Sequence, residues 1–79
     1  MHRVEMEQSL VEICSTVLEH PVMMTVARAN DPAWDSLRHM NLVLALEEAF
    51  GIAFTPEQTV EILNFPLIKE VLKEHGVEF

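Results

Sequence analysis

The chain is poor in cysteine, glycine and positive charge, and it has no tyrosine. Its one cysteine, Cys14, leaves no internal disulfide to staple a small fold, which points to a reducing compartment. Two glycines and four prolines among 79 residues supply few obligatory turns, so most of the chain is free to be helical. Five basic residues stand against thirteen acidic ones, a formal charge of −8. That balance repels a phosphate backbone and an anionic membrane surface, and favours partners with basic surface patches. No nucleic-acid partner is expected. No apolar run approaches the roughly 20 residues that span a bilayer, and no signal-peptide pattern opens the sequence. The expectation is a cytoplasmic protein without membrane insertion.

What is present is apolar residue content of 49%, without low-complexity tracts, repeats or linkers. Residues 1–79 are expected to form a single domain, near the size at which one core becomes marginal, and to act as a monomer. From residue 4 to residue 19, Val4, Leu10, Ile13, Cys14, Val17 and Leu18 recur mostly at spacings of three and four, which predicts an amphipathic helix. His20-Pro21 closes it, because proline pushes the preceding residue out of the helical region. Cys14 falls on the apolar side and is expected in the core. Residues 21–35 show no period, and Asp31-Pro32 forms a turn. Val22, Met23, Met24, Val26 and Trp34 are available to pack this long connection down. Trp34 is expected to anchor the start of the next helix.

That second helix is predicted from Ser36 to Phe50, ended by Gly51 in the left-handed conformation. Thr55 to Gln58, "TPEQ", is a Thr-x-x-Gln capping box with proline at the first helical position, opening a short helix to about Leu63. Asn64 caps a fourth helix that tolerates Pro66 in its first turn, and Gly76 stops it. Lys69, Lys73 and His75 suit its negative end. The fold class is therefore all-α: a small four-helix bundle of three longer helices and one short third helix.

At 100° per residue, Leu42, Val43, Leu46, Ala49 and Phe50 share one sector of the second helix, which must face the core. Leu37, Met40 and Leu44 fall elsewhere, flanked by Glu47 and Glu48. One helix in a small bundle cannot bury both sides. Either Met40 and Leu44 form an exposed binding face rimmed by acids, or the long loop covers them. Ser36 lies in the first turn, where unpaired backbone N–H groups and the helix dipole favour an attached phosphate. Asp and Ser are also ordinary helix-start residues, so position alone leaves both readings open.

The stretch "WDSLRHMNLVLALEEAFGIAFTPEQ", residues 34–58, resembles the centre of an acyl or peptidyl carrier protein. Asp35-Ser36-Leu37 matches the family's Asp-Ser-Leu, and Leu46-Glu47-Glu48-Ala49-Phe50-Gly51-Ile52 is similar to the close of its second helix. Phe54 to Glu57 resembles the entry to its third helix, and "EILNFPLIKEVLKEHG" the close of helix III and helix IV. The resemblance covers Trp34 to Gly76. It implies an acyl-carrier-protein-like bundle that performs no catalysis itself. Ser36 would receive 4′-phosphopantetheine from coenzyme A, through a phosphopantetheinyl transferase, with Asp35 and Leu37 beside it. The arm would carry an acyl or aminoacyl group as a thioester to acyl-loading and acyl-using enzymes. Those partners would read Met40, Leu44, Glu47 and Glu48, with Glu57 and Glu61 added from helix III. Reversing the charge of Glu47 or Glu48 would then slow transfer more than it loosens the fold. Where many fatty-acid carriers have acids two and five residues after the serine, this chain has Arg38 and Asn41. That departure points away from a housekeeping role, and Trp34 before Asp-Ser-Leu resembles free-standing carriers of specialised fatty-acid, polyketide or peptide-type pathways.

Other functions explain less. A small acidic helical interaction module without a prosthetic group uses the same face but gives Ser36 no task. A hydrolase built on Asp35, Ser36 and His39 lacks the spacing for a base that contacts the serine while the acid orients it, and has no glycine-rich elbow. His2, His20, His39 and His75 are dispersed and Cys14 has no ligand-spaced partner, so no metal site is expected. His39 lies in the core sector, either as a hydrogen-bonded structural residue or at the entrance of an acyl pocket. Such a pocket is expected between helices II and III, lined by Leu46 and Ile62.

Overall fold

A computed structural model describes residues 2–79, with side chains from Glu5 onward, so the expected core residue Val4 and the side chain of His2 lie outside the described residues. Four α-helices follow one another: α1 (His2–Leu18), α2 (Ser36–Phe50), α3 (Pro56–Glu61) and α4 (Phe65–Glu74). Between α1 and α2 the chain makes one 3-10 turn, Arg28–Asn30, which the unpatterned loop sequence does not announce. No strand occurs among the described residues; one isolated antiparallel bridge joins Ala27 and Asn64. The protein is a small all-α four-helix bundle.

Each helix begins and ends where local chemistry requires. Asp35 is extended and its carboxylate accepts the Arg38 N–H at 2.8 Å, capping α2. Gly51, at φ 65°, ends it and sends its N–H to the Glu47 carbonyl, a conformation that costs glycine little. At α3, Thr55 Oγ1 accepts from the Gln58 N–H while Gln58 Oε1 accepts from the Thr55 N–H, so both halves of the capping box are made. Asn64 Oδ1 accepts the Leu67 N–H at 2.8 Å to start α4. The end of α1 is less ordinary. Glu19 adopts φ 61° without being glycine, and the His20 N–H reaches back to the Ser15 carbonyl.

The core is a single cluster. Leu10, Cys14 and Leu18 form a stripe along α1 at i, i+4 and i+8, facing Leu42, Val43 and Leu46 of α2. Ile62 and the α4 residues Phe65, Ile68, Val71 and Leu72 complete it. Burying each such Leu or Ile stabilises the fold by roughly 1.5–3 kcal/mol. Burial also pushes the Cys14 thiol up to about 12, so at neutral pH it stays protonated and acts as a small apolar side chain. Lys69 on α4 pairs with Glu7 on α1, joining the two ends of the chain.

Two core expectations need correction. Ala49 lies in the core sector of α2 yet is exposed, whereas Phe50 is half-buried. The sector runs past the buried layer in the last turn, and there only a side chain long enough to lean back reaches it. In the loop, Val26 and Trp34 are buried and Val22 is half-buried, but Met23 and Met24 are exposed. A turn closed by the Val26 N–H on the Met23 carbonyl carries both methionines outward.

Candidate functional site

The site is built around the first turn of α2. With Asp35 as the cap, Ser36 is the first helical residue, and it is exposed. Its Oγ accepts a hydrogen bond from Arg28 Nη2 at 3.1 Å. Beyond it, Leu37 is 69% exposed, Met40 53% and Leu44 59%, so the loop does not cover this apolar row. Glu48 on α2 and Glu57 and Glu61 on α3 are exposed as well.

Glu47 behaves differently from its neighbour. It is half-buried, and its Oε2 accepts the Phe54 N–H at 2.8 Å, which holds the turn between α2 and α3. The expectation that reversing Glu47 affects transfer more than the fold therefore transfers to Glu48 alone. A lysine at position 47 has no acceptor for that N–H and exposes an unpaired donor.

His39 is structural. Its ring is buried, Trp34 Nε1 donates to its Nδ1 at 3.0 Å, and its Nε2 lies 2.6 Å from the Thr59 carbonyl. An indole N–H only donates, so Nδ1 must accept and Nε2 carries the proton to Thr59. Both ring nitrogens are thus engaged away from Ser36, and a serine–histidine relay is not formed. The same bonds tie α3 to α2 one turn beyond Ser36. They bring Val60 (69% exposed) and Glu61, next in sequence to Thr59, to the end of the bundle that carries Ser36.

Arg38 is structural too. It stands where the resemblance would place an acid, but it reaches back to the end of α1. Nη1 donates to the Leu18 carbonyl at 3.1 Å and Nη2 pairs with Glu19 at 2.9 Å. The cation satisfies a carbonyl left over at a helix C-terminus and opposes its negative end. It also helps hold Glu19 in its left-handed conformation.

Beside it, His20 closes the loop. Its Nε2 lies 2.8 Å from Asp31 Oδ2, and its Nδ1 lies 2.9 Å from the Pro21 carbonyl. Both ring nitrogens face acceptors, which suits the imidazolium. The hydrogen bond to Asp31 raises the His20 pKa above its ordinary 6.5, with the Pro21 carbonyl adding to it; partial desolvation and the Arg38 charge oppose the rise. Because the folded-state value is the higher one, this contact stabilises fully below pH 6.5 and is lost as pH climbs through the raised value. Thermal melts of the wild type and His20→Gln should therefore differ most just below pH 6.5 and draw together as pH rises through the raised value. An unchanging gap would show that His20 acts by packing alone.

The histidines are thus dispersed in use as in sequence: His20 on Asp31, His39 on Trp34 and Thr59, His75 on Gln58 Oε1 and edge-on to Phe54. Among the described residues no three potential ligands gather around a metal position. Leu46 and Ile62, expected to line a pocket, are fully buried. Two open clefts lie on α1. One of about 370 Å³ runs against α2 at Ala45, and one of about 290 Å³ lies beside Met24. Arg28 is the site residue that sequence reasoning misses. Its only signal is a cation eight residues before the serine in an acidic chain.

Fold and surface together define a class: a small all-α bundle that presents one hydroxyl at a helix start beside an exposed apolar row with acidic neighbours. No helix among the described residues is long and apolar enough to cross a membrane. No protein-family model matches the chain, and no curated protein matches it.

Proposed function

We propose that the protein is an acyl carrier of the phosphopantetheine type, with Ser36 as the attachment point. The observation that supports this most is the setting of Ser36: exposed, first in α2, its Oγ already accepting from a guanidinium. These donors suit a phosphate. A helix start offers free N–H groups, and Arg28 offers a charged planar fork. In the modification, Ser36 Oγ bonds to the phosphorus on the pantetheine side of coenzyme A. The phosphoanhydride bond to the adenosine side breaks, and the serine proton leaves to a base on the phosphopantetheinyl transferase. When bound, the group supplies a flexible arm with a terminal thiol on which an acyl or aminoacyl group travels as a thioester.

The chain's own part is recognition. Leu37, Met40 and Leu44 give partners an apolar anchor, while Asp35, Glu48, Glu57 and Glu61 attract enzymes with basic patches. Arg38 serves the fold, so partners meet no acid at that position. This favours a specialised fatty-acid, polyketide or peptide-type pathway over a housekeeping one. Cytoplasmic action as a monomer completes the proposal.

The test is intact mass after incubation with coenzyme A and a broad-specificity transferase. A gain of one phosphopantetheine in the wild type, abolished by Ser36→Ala, is the expected result. A folded wild type that gains no mass would favour the interaction module without a prosthetic group, which uses the same face.

A further inference from the structure

One contact beside Ser36 has no role in the fold's core or caps. Arg28 sits in the 3-10 turn of the loop and places its guanidinium on Ser36 Oγ, while its own backbone is firmly held. The Arg28 N–H donates to the Leu63 carbonyl at 2.9 Å, and the Phe65 N–H donates to the Val26 carbonyl at 3.1 Å. The loop on either side of Ala27 is thus fastened to the junction of α3 and α4. Asn30 braces it further, accepting from the Ala27 N–H at 3.1 Å.

The use of the other cations sets Arg28 apart. Among the described side chains, Lys69 pairs with Glu7, Lys73 with Glu70 at 3.3 Å, and Arg38 with Glu19. Arg28 makes no such pair among the described residues; its partner is a neutral hydroxyl. In a chain of net charge −8, a guanidinium left without a carboxylate and turned to a serine is uncommon use of a scarce charge. The anionic neighbour of the site is Asp35, one residue before the serine, whose carboxylate is held on the Arg38 N–H.

We propose that Arg28 is the positioning residue for the phosphate at Ser36. Its guanidinium, now on Oγ, binds the non-bridging oxygens once the phosphodiester is attached. This rests on the carrier reading of Ser36 and adds a residue to it. The arm's root gains one negative charge next to Asp35, and Arg28 offsets it. The guanidinium keeps further N–H donors for the phosphate oxygens, which hang from the phosphorus bonded to Oγ. Fastened at Leu63, the loop then restricts how the root of the arm swings.

The experiment compares wild type, Arg28→Gln and Arg28→Lys, each melted before and after loading with phosphopantetheine, with intact mass reporting the loading. Before loading, the three should melt within about 2 °C of one another, since an exposed bond to a hydroxyl contributes little. Loading should raise the wild-type Tm by about 2–5 °C. That rise should shrink to half or less in Arg28→Gln, return largely in Arg28→Lys, and fall in 1 M salt. The 31P resonance of loaded protein should differ between wild type and Arg28→Gln, and the wild-type Arg28 Nε resonance should move on loading. Equal increments, unchanged 31P shifts and a stationary Nε resonance would overturn the role of Arg28 and leave the carrier standing. A wild type that accepts no phosphopantetheine would overturn both. The Nε measurement uses the wild type alone, so it decides the matter even if a variant fails to fold.

Discussion

Replacing His39 by alanine should destabilise the fold by about 3 kcal/mol, a large fraction of the roughly 5–15 kcal/mol available to a domain of this kind. The side chain is buried at 7% exposure, and its two ring nitrogens satisfy groups from two separate segments. Truncation strands the Trp34 N–H, in a side chain only 2% exposed, and the Thr59 carbonyl. Each loses its partner at a cost of about 1–3 kcal/mol, to which the vacated volume adds. Trp34→Phe removes the donor and keeps most of the ring, so it should cost less, about 1–2 kcal/mol. The two changes share one bond, so their sum should exceed the effect of the double variant. Urea unfolding of the four proteins measures this. Additive losses would mean that the indole and imidazole act independently, and the account of His39 as a tie between α2, α3 and the loop would fail.

The second large effect concerns partners rather than stability. Met40→Glu together with Leu44→Glu should lower kcat/KM of the transferase, and of any acyl-loading enzyme, by at least about tenfold, the equivalent of 1.4 kcal/mol or more of lost contact. Both side chains are more than half exposed, so the folded state should change by no more than about 0.5 kcal/mol per site. Glu48→Lys should give a smaller drop that fades with added salt, because an exposed charge mainly steers encounter. Glu47→Lys should lower Tm as well, since the Phe54 N–H loses its carboxylate. Normal transfer to the Met40, Leu44 double variant would remove this face from the recognition surface.

These two predictions divide the molecule between what neighbours in sequence determine and what they do not. Helix starts and ends were legible. Asp35, Thr55 and Asn64 cap α2, α3 and α4 through bonds spanning three residues, and Gly51 ends α2 within its own turn. The angular period of one helix set Leu37, Met40 and Leu44 apart from its core sector, but their exposure is decided by the loop, which leaves them open. Ser36 was legible as a helix-start residue for the same reason. Its resemblance to a carrier serine also lies in contiguous residues.

The roles of Arg28, Arg38 and Glu47 were not legible, and for His39 the core sector suggested a hydrogen-bonded structural residue without showing its partners. Arg38 was noted only as a departure from a pattern, yet its partners, Leu18 and Glu19, lie at the end of α1 and just past it, 20 and 19 residues away. Thr59 is 20 residues from His39, and Glu47 turns onto Phe54 across the end of its own helix. Arg28 meets Ser36 only because its loop is fastened to the junction of α3 and α4.

By itself, then, the sequence determined the helices, the caps of α2, α3 and α4, and most of the apolar faces of α1 and α2, because those depend on bonds and angles within four or five residues. Only the tertiary structure decided which polar side chains hold the bundle and which remain open at its surface. Long polar side chains take whichever donor or acceptor the packing of distant segments brings within hydrogen-bond reach, and no local period encodes that choice.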